Sequence, residues 1–170
     1  MKIKRIIAIA AALVPMAVMA QMRIATVDVQ AVFNAMPEAK AATEKLATAS
    51  QQLKAEYEMM QDEFNQKYAA YQAIATDNST PQTIKDRRVR EIQDSDRDIE
   101  KFLAKSKASL EEQKQALEAP IYKKIDAAIK EVGDAGGYTY IIDVSKSPVV
   151  YTGAGAIDLT EAVKKSLGVE

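Results

Sequence analysis

Apolar and aromatic side chains return along the first half of the chain at Leu46, Leu53, Tyr57, Met60, Phe64, Tyr68, Tyr71 and Ala75, in steps of three, four and seven residues. These are coiled-coil steps. A second series, Ile92, Ile99, Leu103, Leu110, Leu117, Ile121, Ile125 and Val132, keeps comparable spacing, with polar Ser106 and Gln113 at seam positions. All six glycines fall at Gly133 or later, and Ala, Glu, Lys, Gln and Leu crowd the stretch between Pro37 and Val132, so the backbone there has little reason to leave the helix. One cluster interrupts it, Asp77-Asn78-Ser79-Thr80-Pro81, where capping side chains precede a proline suited to the first turn of a new helix. The pattern predicts two long antiparallel helices over 37–132 joined by a turn at 77–81, each roughly 60 to 75 Å long at ~1.5 Å rise per residue. The seam is loose rather than Leu-rich.

On either side the period changes. Arg23 to Val29 is short and β-branched, which predicts a strand, and Gln30 to Asn34 then reads as one helical turn capped by Asp28. Beyond the hairpin, Gly133, Gly136 and Gly137 are expected to close the helix, followed by a strand over 138–144, a turn over 145–148 and a third strand over Val149 to Thr152. In the tail, Asp158 is positioned to cap an amphipathic helix with Leu159, Val163 and Leu167 on one stripe. The fold class is therefore α+β, a long helical hairpin inserted in a small β-sheet body made of 21–36 and 133–170. Pro120 stands within the second helical series, and a kink is expected near Ala116 to Pro120. Asp86 with Arg90 and Lys107 with Glu111 are i,i+4 candidates for surface ion pairs.

The N-terminus alters the compartment. Lys2, Lys4 and Arg5 precede the apolar run Ile6 to Val14, and Val18-Met19-Ala20 has the small or compact residues of a cleavage site, so residues 1–20 read as a secretory signal peptide cut after about Ala20. The uncharged run contains Pro15 and is short of the ~20 residues of a spanning helix. Cleavage takes three of the 23 basic residues and none of the 24 acidic ones, leaving the mature chain at −4. That balance argues against nucleic acid as a partner. With neither His nor Cys in the chain, the commonest general base, transition-metal ligands and thiol nucleophile are missing together. Asp94-Ser95-Asp96-Arg97-Asp98 imitates the start of a calcium loop, but Ile99 stands where the turn glycine belongs. Neither an enzyme nor a cofactor is expected. Lys85, Arg87, Arg88 and Arg90 form a small basic cluster just beyond the turn. It is a candidate contact for anionic lipid, lipopolysaccharide or acidic segments, set against an ordinary charged helix start.

The order of elements carries a resemblance. A signal peptide, the strand and helix of Ile24-Ala25-Thr26-Val27-Asp28-Val29-Gln30-Ala31-Val32-Phe33, a long hairpin, then Tyr140-Ile141-Ile142-Asp143, Val149-Val150-Tyr151 and Asp158-Leu159-Thr160 together resemble the OmpH/Skp family of periplasmic chaperones. The resemblance implies a homotrimer whose strands form a central body, with Ile24, Val27, Val29, Ile141, Ile142, Val149 and Val150 as its candidate residues. Three hairpins would hang from that body like tentacles around a cavity. The cavity would hold unfolded outer-membrane β-barrel proteins in the periplasm without ATP. Adaptable Tyr and Met side chains suit partners of no fixed shape, which makes Tyr57, Met59, Met60, Phe64, Tyr68 and Tyr71 the candidate client-facing residues. The best-studied type of this family is strongly basic, unlike this acidic chain. A reading from another class is a structural coiled-coil spacer or adaptor of the cell envelope.

Overall fold

The computed structural model describes residues 22–146 and 149–169; the expected signal peptide at 1–20 lies outside the described residues. In chain order the elements are β1 (Ile24–Val27), α1 (Val29–Ala35), α2 (Pro37–Ala75), α3 (Gln82–Gly136), β2 (Tyr140–Asp143) and α4 (Thr160–Ser166).

Asp28 ends the strand and starts the helix: its Oδ1 accepts the Ala31 N–H at 2.8 Å, satisfying a donor that the first turn of α1 leaves free. Met36 then breaks the helix with ψ 132°, because a residue before proline is pushed out of the helical region, while Pro37 opens α2 at the position where its missing N–H costs nothing. At 39 and 55 residues, α2 and α3 are about 58 and 82 Å long. The turn between them is built by Asp77. Its carboxylate accepts the Ser79 N–H at 2.8 Å, the Ser79 hydroxyl at 2.7 Å and the Thr80 hydroxyl at 2.7 Å. Thr80's hydroxyl, Ser79's N–H and Ser79's hydroxyl hold the Asp77 carboxyl down at about 2. These side chains fold the turn on itself rather than capping α3, so Pro81 becomes the N-cap with no side-chain bond and lies just outside the helix it was expected to begin.

Gly133 does not close the hairpin. The helix runs through it to Gly136, and the reason for glycine is proximity: a Cβ at Gly133 would stand 2.9 Å from Cδ1 of Ile141, so a larger residue there would force the Ile141 side chain to shift. Termination falls to Gly137, in the left-handed region at φ 62°, with the Tyr138 N–H reaching back to the Gly133 carbonyl at 3.1 Å. The Arg23 guanidinium donates to the Gly136 carbonyl and lies 4.5 Å over the Tyr138 ring, tying this helix end to the residue before β1.

The two strands are parallel, in register from Ile24 opposite Tyr140 to Val27 opposite Asp143. The expected third strand over Val149 to Thr152 does not form. The other edge of β1 is taken instead by 157–159, where Thr26 donates to the Ile157 carbonyl and accepts from the Leu159 N–H, each at 2.8 Å. Val150, 97 % exposed, pairs with neither strand of the sheet. Asp158 is likewise not the cap of α4. It accepts the Thr160 N–H and hydroxyl at 2.9 and 2.6 Å, while that hydroxyl accepts the Asp28 N–H at 2.9 Å. This relay pins the tail to the start of α1, and the helix begins two residues after Asp158.

The core lies at the base. Val27, Val32, Ile125 and Val163 are its largest wholly buried side chains, Leu159 joins them, Leu167 packs against them, and Phe33 stacks on Tyr122 at 5.0 Å. No helix among the described residues is long and apolar enough to cross a membrane.

Candidate functional site

Beyond the base the hairpin has no extended core, only a seam of mostly half-buried side chains between α2 and α3, with Ile99 and Ser95 buried in it. On α2 it runs through Leu46, Leu53, Tyr57, Met60, Phe64, Lys67, Tyr71 and Ile74. Lys67 rather than Tyr68 occupies the seam. Its Nζ pairs with Glu63 at 2.7 Å and donates across to the Oγ of buried Ser95 at 3.2 Å, which satisfies an ammonium that would otherwise be costly to cover. On α3 the corresponding exchange puts Phe102 in the seam and turns Leu103 outward, and Gln113 is fully turned to solvent.

The six aromatic and methionine candidates therefore do not share one surface. Tyr57, Met60, Phe64 and Tyr71 are half-buried in the seam, whereas Met59 is 65 % and Tyr68 47 % exposed. Nine residues at ~100° each place Met59 and Tyr68 about 180° apart around α2. Tyr68 belongs to an aromatic flank, stacked on Phe64 with centroids 6.3 Å apart and planes 4° from parallel. Met59 stands alone on the other side.

At the base, the strand register puts Ile24 beside Tyr140 and Thr26 beside Ile142 on one face. Ile24, Tyr140 and Ile142 are exposed there, and Val149 and Val150 are exposed in the segment that follows β2. The opposite face points inward: Val27 and Val29 are buried in the chain's own core and Ile141 is half-buried against it. Only part of the strand set named from the sequence is thus available to another molecule. The family model for OmpH-like outer membrane proteins matches residues 23–167, taking in both strands and the whole hairpin.

The chain belongs to the OmpH-like family.

The OmpH-like chain is similar in fold to a crystal structure of a candidate outer membrane chaperone, OmpH-like, from Caulobacter crescentus. The TM-score is 0.68 at 18 % identity, over 86 % of this chain and 83 % of that one. No curated protein sequence matches it.

At the arm tip the four basic residues have partners of their own. Lys85 Nζ donates to the Ala75 carbonyl at 3.0 Å and so caps α2 from the opposite helix. Arg87 and Arg88 share Glu91, at 3.6 and 2.8 Å. Arg90 reaches the backbone carbonyl of Asp86 at 3.4 Å rather than its carboxylate, and Lys107 and Glu111 do not form the expected ion pair, Glu111 accepting from Gln115 instead. The tip of the OmpH-like chain is accordingly less free in charge than its composition implies. Pro120 lies inside α3, which continues as helix on both sides, and borders a recess lined by Ala42, Leu117 and Lys124. Lys124 crosses to Glu38 at 2.8 Å, and that hydrogen bond holds the Glu38 carboxyl below its usual range. Among the described residues no cluster of three or more acids is arranged to hold a metal ion.

The residues that sequence reasoning missed are Lys67, Ser95 and Asp143. For Lys67 the heptad phase set by Met60, Phe64 and Tyr71 was the available signal. Burial raises the Asp143 carboxyl, but the Ser145 hydroxyl and N–H, the Val29 N–H and nearby Lys146 outweigh it and hold the group below its usual range. Asp143 thereby ties the end of β2 to the start of α1.

Proposed function

We propose that this OmpH-like chain is a periplasmic, ATP-independent holdase that binds unfolded outer-membrane β-barrel proteins between its arms and prevents their aggregation. The arm carries the reading: two helices, the shorter about 58 Å long, run out from the base with a seam rich in half-buried Tyr, Phe and Met and no extended core. Such side chains adapt to partners without fixed shape. Binding only the unfolded client suppresses aggregation by mass action and needs no nucleotide. The working unit is a homotrimer of three tentacles, which turns weak contacts into retention. The exposed apolar residues Ile24, Tyr140 and Ile142 and the free outer edge of β2 support an assembly through the base.

Of the candidate client residues, we assign the Phe64, Tyr68 and Tyr71 flank to the client and leave Met59, on the opposite side of α2, outside it. The test is mass by light scattering together with an aggregation assay on a denatured β-barrel protein. A trimer that keeps the client soluble is expected, and a monomer without holding activity overturns the proposal. In the same assay Y68S with Y71S should lose much of the protection while M59S keeps it; the reverse order overturns the assignment of the face. A spacer of the envelope would instead bind a folded partner and leave aggregation unchanged.

A further inference from the structure

Just beyond the base the seam opens. Ser50 on α2 and Ser106 on α3 both line the gap where leucines would close it, and the space left is a groove of about 770 Å³ with Leu46, Leu103 and Leu110 on its walls. Leu103, turned out of the seam by Phe102, borders the groove at 47 % exposure. From Leu103 to Lys114 the groove follows α3 for about 17 Å. Its volume lies in the range of small-ligand sites, which form between helices and combine apolar walls with a few polar groups.

Two features narrow the occupant. A buried polypeptide needs a partner for every N–H and C=O, and the interior of this groove offers little beyond the two serine hydroxyls. A chain of methylenes needs none. The rim, by contrast, is charged. Lys107 and Lys114 stand seven residues apart on one face of α3, and among the described residues neither is engaged in an ion pair. Glu111 between them is turned to Gln115 at 3.0 Å. Glu111 also lines the groove and offsets one of the two lysine charges, and hydrocarbon walls below a rim that stays net positive are complementary to a molecule with one apolar tail and one anionic end.

We infer that this groove binds a single-chain anionic amphiphile, an alkyl carboxylate, with its tail along Leu46, Leu103 and Leu110 and its head on Lys107 and Lys114. The site lies away from the Phe64–Tyr68–Tyr71 flank and does not depend on client holding. The test is calorimetric titration of the mature full-length chain with tetradecanoate below its micelle concentration, beside uncharged tetradecanol as comparator. Tetradecanoate should bind about three- to tenfold more tightly, the worth of two partly exposed charge contacts. K107Q with K114Q should erase that preference while keeping the alcohol's affinity. S106L, which fills the groove at a seam position where leucine suits the helix pair, should abolish binding of both, with circular dichroism confirming the fold. Equal affinity of the two amphiphiles for the native chain, failure of either to bind, or undiminished binding to S106L overturns the inference. Tighter binding of an unfolded apolar peptide than of tetradecanoate to the native chain, abolished by S106L, assigns the groove to polypeptide and overturns it as well.

Discussion

Replacing Ile125 by alanine tests whether the stability of this long molecule resides in its small base. Ile125 is wholly buried in α3, in the core it shares with Val27, Val32 and Val163. The change deletes three carbons. At ~0.8 kcal/mol each the transfer loss is about 2.4 kcal/mol, and the cavity left in a core pinned by strand, helix and tail brings the total to about 3 to 5 kcal/mol. For a chain of this size each kcal/mol corresponds to ~2–4 °C in Tm, so a fall of about 6 to 20 °C is expected. Helix signal followed by circular dichroism during heating measures it, with protein concentration fixed because self-association adds to apparent stability. Exposed Gln113 in the arm is the control, and its change to alanine should stay within about 0.5 kcal/mol. A loss below ~1 kcal/mol at Ile125 would refute the reasoning, since the arm seam rather than the base would then dominate.

The remaining expectations concern the turn, the tip and the end of α3. The folded pKa of Asp77 is depressed from 3.8 to about 2, so its hold on the turn is complete above its unfolded value and is lost as pH falls from about 4 through about 2; a carboxyl chemical-shift titration should find that low midpoint in the native chain. K85Q removes the donor to the Ala75 carbonyl and should speed hydrogen exchange at the end of α2, with a global cost below about 1 kcal/mol. If charge at the tip assists capture of clients, neutralising Arg87, Arg88 and Arg90 should flatten the salt dependence of holding, and a native chain whose holding ignores salt rules this out. G137A should destabilise the base by roughly 1–2 kcal/mol in chemical denaturation, because its φ of 62° penalises any Cβ.

What was legible in the sequence was whatever depends on neighbours along the chain. Pro37 and the glycine-free stretch mark the hairpin, Asp28 caps α1, and the Leu159, Val163 and Leu167 stripe turns to the core. What escaped depends on distant partners. A glycine looks like a helix end until Ile141 is seen against Gly133. Val149 to Tyr151 read as a strand by composition, yet the edge of β1 is bonded by 157–159. At the arm the error was one of phase. Tyr68 and Leu103 are more apolar than Lys67 and more conspicuous than Phe102, but a seam between two helices obeys geometry first, and a lysine with Glu63 and Ser95 to satisfy it fits there.

The parallel pairing of β1 with β2 has a consequence for the order of events in folding. Both neighbours of β1, Tyr140–Asp143 on one side and 157–159 on the other, are more than a hundred residues away along the chain. During N-to-C synthesis or export, β1 is made first and stays without a partner until almost everything else has followed. Closing so long a loop of flexible chain is slow. The hairpin shortens it: once α2 and α3 zip along their seam, the ends of the loop are brought together as a local contact. Parallel strands also require the return helix to travel past the sheet before β2 begins, which accounts for α3 having 55 residues against 39 in α2. The arm is therefore a folding template for its own base, and variants that weaken the seam should slow the appearance of the sheet more than they lower its final stability.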